Sequence, residues 1–355
     1  MKSKHDVLIL GASYGSLLAV KLMLAGNTVK LVCLPVEAEL INREGFRVRM
    51  PVKGRDGLVE IDSRHLAGNA SASGPEGVDP AQHDLIALAM QEPQYAAPGV
   101  RELMRGIAAA RIPCMSIMNM PPLPYVARLP RVAVDALRAC YADPAVWDPF
   151  DPANVTLCSP DPQAFRPAGE PVNVLQVSLP TNFKAARFES AADTALLRTL
   201  AAGIEAVRYD IDGHRVELPV KLKVHDSLFV PLAKWSMLLT GNYRCVGDDT
   251  MQSIRDAVHA DLAASRAVYR WVGDLCKKLG AADADLVPFD KYANAALGLA
   301  KPSSAARALA AGARNIERVD QLVQTIGRQQ GMQLDAVDAI VGRVDVWLAR
   351  NRAAA

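Results

Sequence analysis

The stretch DVLILGASYGSLLAVKLMLAGNTVKLVC, residues 6–33, decides the fold. Val7-Leu8-Ile9-Leu10 is a continuous apolar run ending in Gly11, the pattern of a strand buried on both faces. Leu17, Leu18, Lys21, Leu22 and Leu24 follow at helical spacing, and Val29-Lys30-Leu31-Val32 resumes as strand, so the segment predicts a βαβ unit. Its turn is Gly11-Ala12-Ser13-Tyr14-Gly15-Ser16, placed directly after the strand and opening the helix. In that context small residues let backbone N–H groups approach a pyrophosphate, and the helix N-terminus adds partial positive charge. Gly11, Ser13, Tyr14, Gly15 and Ser16 are therefore candidate contacts for a nicotinamide dinucleotide. The two glycines stand one residue closer than the outer pair of GxGxxG, and Ser13 takes the middle glycine's place, so the competing reading is a plain turn between strand and helix. The second strand ends in Val32-Cys33-Leu34-Pro35, with neither an acid for a ribose 2′-hydroxyl nor a base for a 2′-phosphate. The missing acid tilts the expectation toward NADP(H) over NAD(H), with Glu37 and Arg43 downstream.

A chain of 355 residues exceeds one ordinary core and predicts two domains. Half of the residues are hydrophobic, 22% are charged and the formal net charge is +2, which gives no electrostatic reason to expect a nucleic acid or a membrane surface as partner. The six cysteines are scattered without a CxxC and the histidines show no HxxxH pairing, so neither a metal site nor a disulfide framework is expected. Met1-Lys2-Ser3-Lys4 leads straight into a strand without the apolar stretch of a secretory signal, and no apolar run approaches a membrane span; the expectation is a cytoplasmic protein.

Further strands are predicted at 85–90 and 112–118, separated by a helical pattern over 99–107, and this alternation implies a parallel, doubly wound sheet. Residues 142–171 turn rich in Asp, Pro, Gly and Ser and predict a long surface excursion. Strand patterns return at 172–179 and 183–188, then a helix over 191–202 and a last strand near 206–211. Beyond Asp212 the pattern is helical, over 218–239, 251–279, 303–326 and 334–350. The predicted architecture is α/β, a Rossmann-like dinucleotide-binding domain over 1–211 and an all-helical substrate and dimerisation domain over 212–355.

Four ordered motifs give the chain a resemblance to the ketopantoate reductase family over nearly its whole length. They are Ile9-Leu10-Gly11 to Gly15-Ser16-Leu17-Leu18-Ala19, followed by Glu39-Leu40-Ile41-Asn42-Arg43-Glu44-Gly45; Ile117-Met118-Asn119-Met120; Lys221-Leu222-Lys223-Val224-His225 with Pro231; and Pro302-Ser303-Ser304. The resemblance implies that Asn119 lies beside the nicotinamide and substrate, that Lys221 is the catalytic lysine of a helix, and that Ser304 contacts substrate. The chain departs from the family where asparagines four and eight residues after the lysine become His225 and Phe229, where a cofactor-contacting lysine becomes Gln91, and where an aspartate becomes Ala308. A family glutamate falls at Ile316, or at Glu317 with a one-residue shift.

Hydride transfer to a ketone creates negative charge on oxygen, so the site needs a proton donor within hydrogen-bond reach. Lys221, flanked by apolar residues, is the candidate acid, since burial lowers a lysine pKa. On a helix, His225 and Phe229 would share its face, and Phe229 would make that wall apolar. Asn119, at a strand end, offers an amide to substrate or nicotinamide. Ser303 after Pro302 reads as a helix N-cap, and the aromatic stretch 229–245 as domain packing or a dimer surface. The expectation is an NAD(P)H-dependent reductase of a 2-keto acid or related ketone less polar than ketopantoate, acting as a homodimer on a small carbonyl substrate. An opine-type imine-reducing dehydrogenase, or a nucleotide-binding protein without catalysis, are the alternatives.

Overall fold

A computed structural model describes residues 4–354. The chain divides into two compact units. One comprises the described residues up to Met90, then Gln94–Met118 and Ala145–Asp226; the other comprises Gln91–Pro93, Asn119–Pro144 and the chain from Ser227 onward.

The first unit is built on an eight-stranded sheet in the order Leu222–His225, Phe183–Ala186, Val155–Ser159, Cys114–Ile117, Leu85–Leu88, Asp6–Leu10, Thr28–Val32, Ala70–Ser73. Asp6–Leu10 lies at its heart, pairing in parallel with Thr28–Val32 and Leu85–Leu88 through Val7↔Val29 and Val7↔Leu85. Val7 to Leu10 are fully buried, which is why that stretch reads as unbroken apolar sequence rather than as alternation. The six strands from Val155–Ser159 to Ala70–Ser73 are all parallel, as expected. Phe183–Ala186 runs antiparallel to Val155–Ser159, and Leu222–His225 runs parallel to Phe183–Ala186. A smaller sheet joins Leu58–Asp62, Arg47–Pro51, Val174–Leu179 and Gln163–Phe165.

Two expectations for this unit are corrected. The region 142–171 is not merely an excursion, because Val155–Ser159 is buried throughout and forms an interior strand of the main sheet. Five residues between Asp-Pro turns suffice for a buried strand but are too short to show a period. Strands also continue past Asp212: His214–Val216 closes a hairpin with Tyr209–Ile211, and Leu222–His225 ends the main sheet, so this unit extends to Asp226.

The second unit is helical. Helix Leu262–Leu279 is capped by Asp261, whose side chain accepts from Ala264 N at 2.9 Å, and stops at Gly280 with φ 124°; the expected single helix over 251–279 therefore begins with a separate piece, Ile254–His259. The pattern over 303–326 likewise divides, into Ser304–Ala310 and Val319–Gln329, with Gly312 at φ 87° between them. Ser303 is the N-cap of the first, accepting from Ala306 N at 3.1 Å. Asp335–Ala353 closes the chain. Trp235, Tyr243 and Cys245 are buried in this unit, so the aromatic stretch is domain packing. No helix among the described residues is long and apolar enough to cross a membrane.

Candidate active site

Within the first unit, Gly11 links Asp6–Leu10 to helix Ala12–Leu24 with φ 103°, and its N–H donates to Val32 O at 2.8 Å. A Cβ there would come within 2.7 Å of Ala89 O, so both conformation and space demand glycine. A Cβ on Gly15 would meet Ile9 Cγ2 at 2.6 Å, which shows how closely helix and strand pack. No side chain caps the helix N-terminus. Uncapped first-turn N–H groups beside a tight glycine turn suit a pyrophosphate, and the closely packed Gly15 takes the helix-packing place of the last glycine in GxGxxG.

The side chains around that turn face inward. Tyr14 donates its hydroxyl to Pro162 O at 2.8 Å and sets its ring edge-on to Phe183; Ser16 donates to Ala12 O. The part these two residues can play for a dinucleotide is confined to backbone. At the end of the second strand Leu34 and Val36 are 74% and 76% exposed, and burial pushes the Cys33 thiol up to about 12. Glu37, the nearest carboxylate along the chain, is held by Arg166.

Lys221 is not on a helix. It immediately precedes the strand Leu222–His225, where Lys223 and His225 alternate with Leu222 and Val224, a period-two pattern that a helix reading misses. Val220 before it has φ 65°, strained for a β-branched residue. The Lys221 ammonium lies 3.0 Å from Glu217, and the backbone N–H of Lys221 donates to Asn182 Oδ1 at 2.8 Å. The expected shared face of Lys221, His225 and Phe229 does not exist, because His225 ends that strand, with Arg187 N donating to its carbonyl at 2.8 Å, and Phe229 lies buried in the helical unit.

The second unit holds a pocket lined by Gln91, Asn119, Leu238, Asn242, Tyr243, Ser304, Ala305, Ala308, Ile316 and Glu317. Residues from distant parts of the sequence, Gln91, Asn119, Ser304 and Glu317, thus meet in one place. Asn119 Nδ2 donates to Glu317 Oε2 at 3.2 Å, while its buried Oδ1 finds no hydrogen-bond partner among the described residues. Glu317 Oε1 accepts from Glu92 N at 3.4 Å. Burial raises the Glu317 carboxyl above its ordinary value, against the opposing pull of Asn119, the N–H groups of Glu92 and Met120, and the Lys234 charge. Tyr243 donates its hydroxyl to Glu317 O and accepts from Val319 N at 3.1 Å, fixing the segment that carries the carboxylate.

The pocket's other wall comes from Leu238 and Asn242 of the π-helical turn Leu238–Asn242, which continues helix Lys234–Met237, and from Tyr243. Leu238 and Asn242 stand four and eight residues after Lys234, the spacing that the resemblance attaches to its lysine. The sequence carries part of that pattern here, Lys234 with Asn242 eight residues on and leucine at position 238.

No protein-family model matches the sequence, and no curated protein does. Solved structures do. A putative ketopantoate reductase from Ralstonia solanacearum superposes with a TM-score of 0.66 at 14% identity, covering 98% of both chains. The 2-dehydropantoate 2-reductase of Methylococcus capsulatus gives 0.65 at 14%, over 98% of this chain and 97% of that one. A D-mandelate dehydrogenase solved with NADH and anilino(oxo)acetate gives 0.62 at 15%, over 98% and 99%. The chain has the ketopantoate reductase fold, common to these reductases and to D-mandelate dehydrogenase.

Proposed function

We propose that this chain is an NAD(P)H-dependent reductase of a 2-keto acid or related ketone, with NADP(H) preferred. The observation that carries the reading is the pocket in which Gln91, Asn119, Ser304 and Glu317 meet. The exposed apolar end of the second strand, and a Glu37 already engaged by Arg166, support the cofactor preference, since no free acid awaits a ribose 2′-hydroxyl there.

A nicotinamide cofactor held at the Gly11 turn would supply the hydride. Toward it, the first unit offers the N–H groups of the first helical turn and the close backbone approach that Gly11 permits. In the pocket, Lys234 replaces Lys221 as the proposed acid: it starts the helix whose next two turns line the pocket, and its charge acts on Glu317. As hydride reaches the carbonyl carbon, an ammonium at Lys234 gives a proton to the oxygen, leaving an alcohol and an amine that is reprotonated from solvent. Asn119, oriented by Glu317, has its Oδ1 open to a hydrogen-bond donor on the bound molecule. Ser304 adds a hydroxyl, and Leu238, Ala305, Ala308 and Ile316 make the remaining surface apolar.

The test is a titration of the purified protein with NADPH and NADH, followed by a screen of 2-keto acids that differ in side-chain polarity. The expected result is micromolar NADPH binding, weaker NADH binding and turnover of at least one keto acid. Failure of both cofactors to bind overturns the reading.

A further inference from the structure

Glu92 does not line the pocket, yet it is 2% exposed and stands next to both Gln91 and Glu317. Its backbone N–H donates to Glu317 Oε1. Its carboxyl accepts from Ala142 N, 3.2 Å from either oxygen, and from Asp143 N, so it holds down the turn after Tyr141. Glu317 in turn holds Asn119. One continuous set of contacts therefore runs from the turn at 141–143 through Glu92 and Glu317 to the Asn119 amide, entirely inside the helical unit.

The Glu317 charge disfavours the Glu92 charge, so these two buried carboxyls do not ionise independently. A backbone N–H stabilises a carboxylate less than an ion pair does, and backbone N–H groups are what Glu92 has. The other titratable or charged groups acting on the pair are Asp143 and Tyr141 beside Glu92, and Lys234 and Tyr243 beside Glu317. Of these Lys234 alone is cationic.

We propose that Glu92 is a positioning residue of the pocket, which sets the placement and protonation of Glu317 and through it the Asn119 amide. The inference rests on the pocket being the binding site named above. Burial, with the charges of Glu317 and Asp143 adding to it, brings the Glu92 carboxyl up to about 7, so the device responds near neutrality.

The experiment follows amide chemical shifts against pH by NMR in the full-length protein, with no ligand needed. In the wild type, the N–H signals of Ala142 and Asp143 should inflect near neutrality, and the Asn119 side-chain amide should report the titration of Glu317. Glu92→Gln keeps the size and an acceptor but cannot ionise. It should abolish the inflection at Ala142 and Asp143 and move that of Asn119 down by about one pH unit. A purely structural Glu92 would leave the Asn119 titration unchanged in Glu92→Gln, and inflection of Ala142 and Asp143 below about pH 5, the ordinary carboxylate range, would equally overturn the proposal. The pH profile of kcat/KM on the best keto acid of the screen is the second readout, and Glu92→Gln should displace it while Glu92→Ala also raises KM. Absence of any turnover counts against the proposed reaction and leaves the NMR result to decide on Glu92.

Discussion

Replacing Lys21 by methionine should leave the folded protein as stable as the wild type, or more so, at neutral pH and reverse that order in alkali. Lys21 belongs to helix Ala12–Leu24, is 1% exposed, and donates to Pro219 O at 2.9 Å and Leu218 O at 3.3 Å. Burial, reinforced by the charge of Lys221, lowers its pKa from 10.5 to about 7. Because the folded value is lowered, the unfolded chain binds more protons between these limits, and the wild type gains stability as pH rises through that window. Below about pH 7 the penalty is complete and constant. At roughly 1.4 kcal/mol per pH unit it is on the order of 5 kcal/mol, of which about 2 kcal/mol is recovered between about pH 7 and pH 9. Lys21→Met keeps a long apolar side chain and removes the titration. It also deprives two carbonyls of their donor, at a pH-independent cost of about 1–3 kcal/mol. Urea unfolding of both proteins at about pH 6, 7, 8 and 9 measures the difference. The variant should match or exceed the wild type at the acidic end and lose about 2 kcal/mol of stability relative to it by the alkaline end. A difference that stays flat over the series refutes the reasoning.

Gly15→Ala, which in an open helix gains about 1 kcal/mol, should instead cost roughly 1–3 kcal/mol in thermal or urea unfolding, because the new Cβ presses on Ile9. Lys234→Ala should lower kcat by about two to four orders of magnitude while NADPH affinity holds, whereas Lys221→Ala should change stability more than turnover; the reverse pattern in steady-state kinetics would restore Lys221 as the acid. Asp320→Ala leaves Arg318 facing a buried gap, since Arg318 donates to both Asp320 oxygens at 3.0 Å, and should cost about 3–5 kcal/mol by denaturant titration even though Asp345 still contacts the guanidinium. Ser303→Ala removes an N-cap and should cost about 1 kcal/mol.

The segment 6–33 was legible because each level agrees there: fully buried strands read as apolar runs, the helix shows its period, and Gly11 sits where backbone geometry requires it. Asn119, Gln91, Ser304 and Glu317 were legible as members of a pattern, but their meeting in one pocket is tertiary and left no local mark. The helix expected at Lys221 rested on its four-residue spacing to His225 and Phe229 and on its apolar neighbours. The chain instead bends through Pro219 and the left-handed Val220 into the strand Leu222–His225, and Phe229 lies beyond it. Lys234 was passed over because its helix carries leucine at 238, and Glu92 because a buried carboxyl held by backbone N–H groups has no sequence signature at all.

The helical unit is not a C-terminal piece of chain, since it takes in Gln91–Pro93 and Asn119–Pro144 as well as the residues from Ser227 onward. Recombination between relatives at position 226 would therefore not transplant substrate preference whole. A chimaera made there would combine positions 91, 92 and 119 of one parent with 242, 304 and 317 of the other. The Glu92–Glu317 and Asn119–Glu317 contacts would then have to work between partners that had never been selected together. On the proposed function, substrate preference should accordingly be inherited in such hybrids as a new, poorly tuned blend, and should travel intact only with exchanges that carry the two inserted lengths along with the helices.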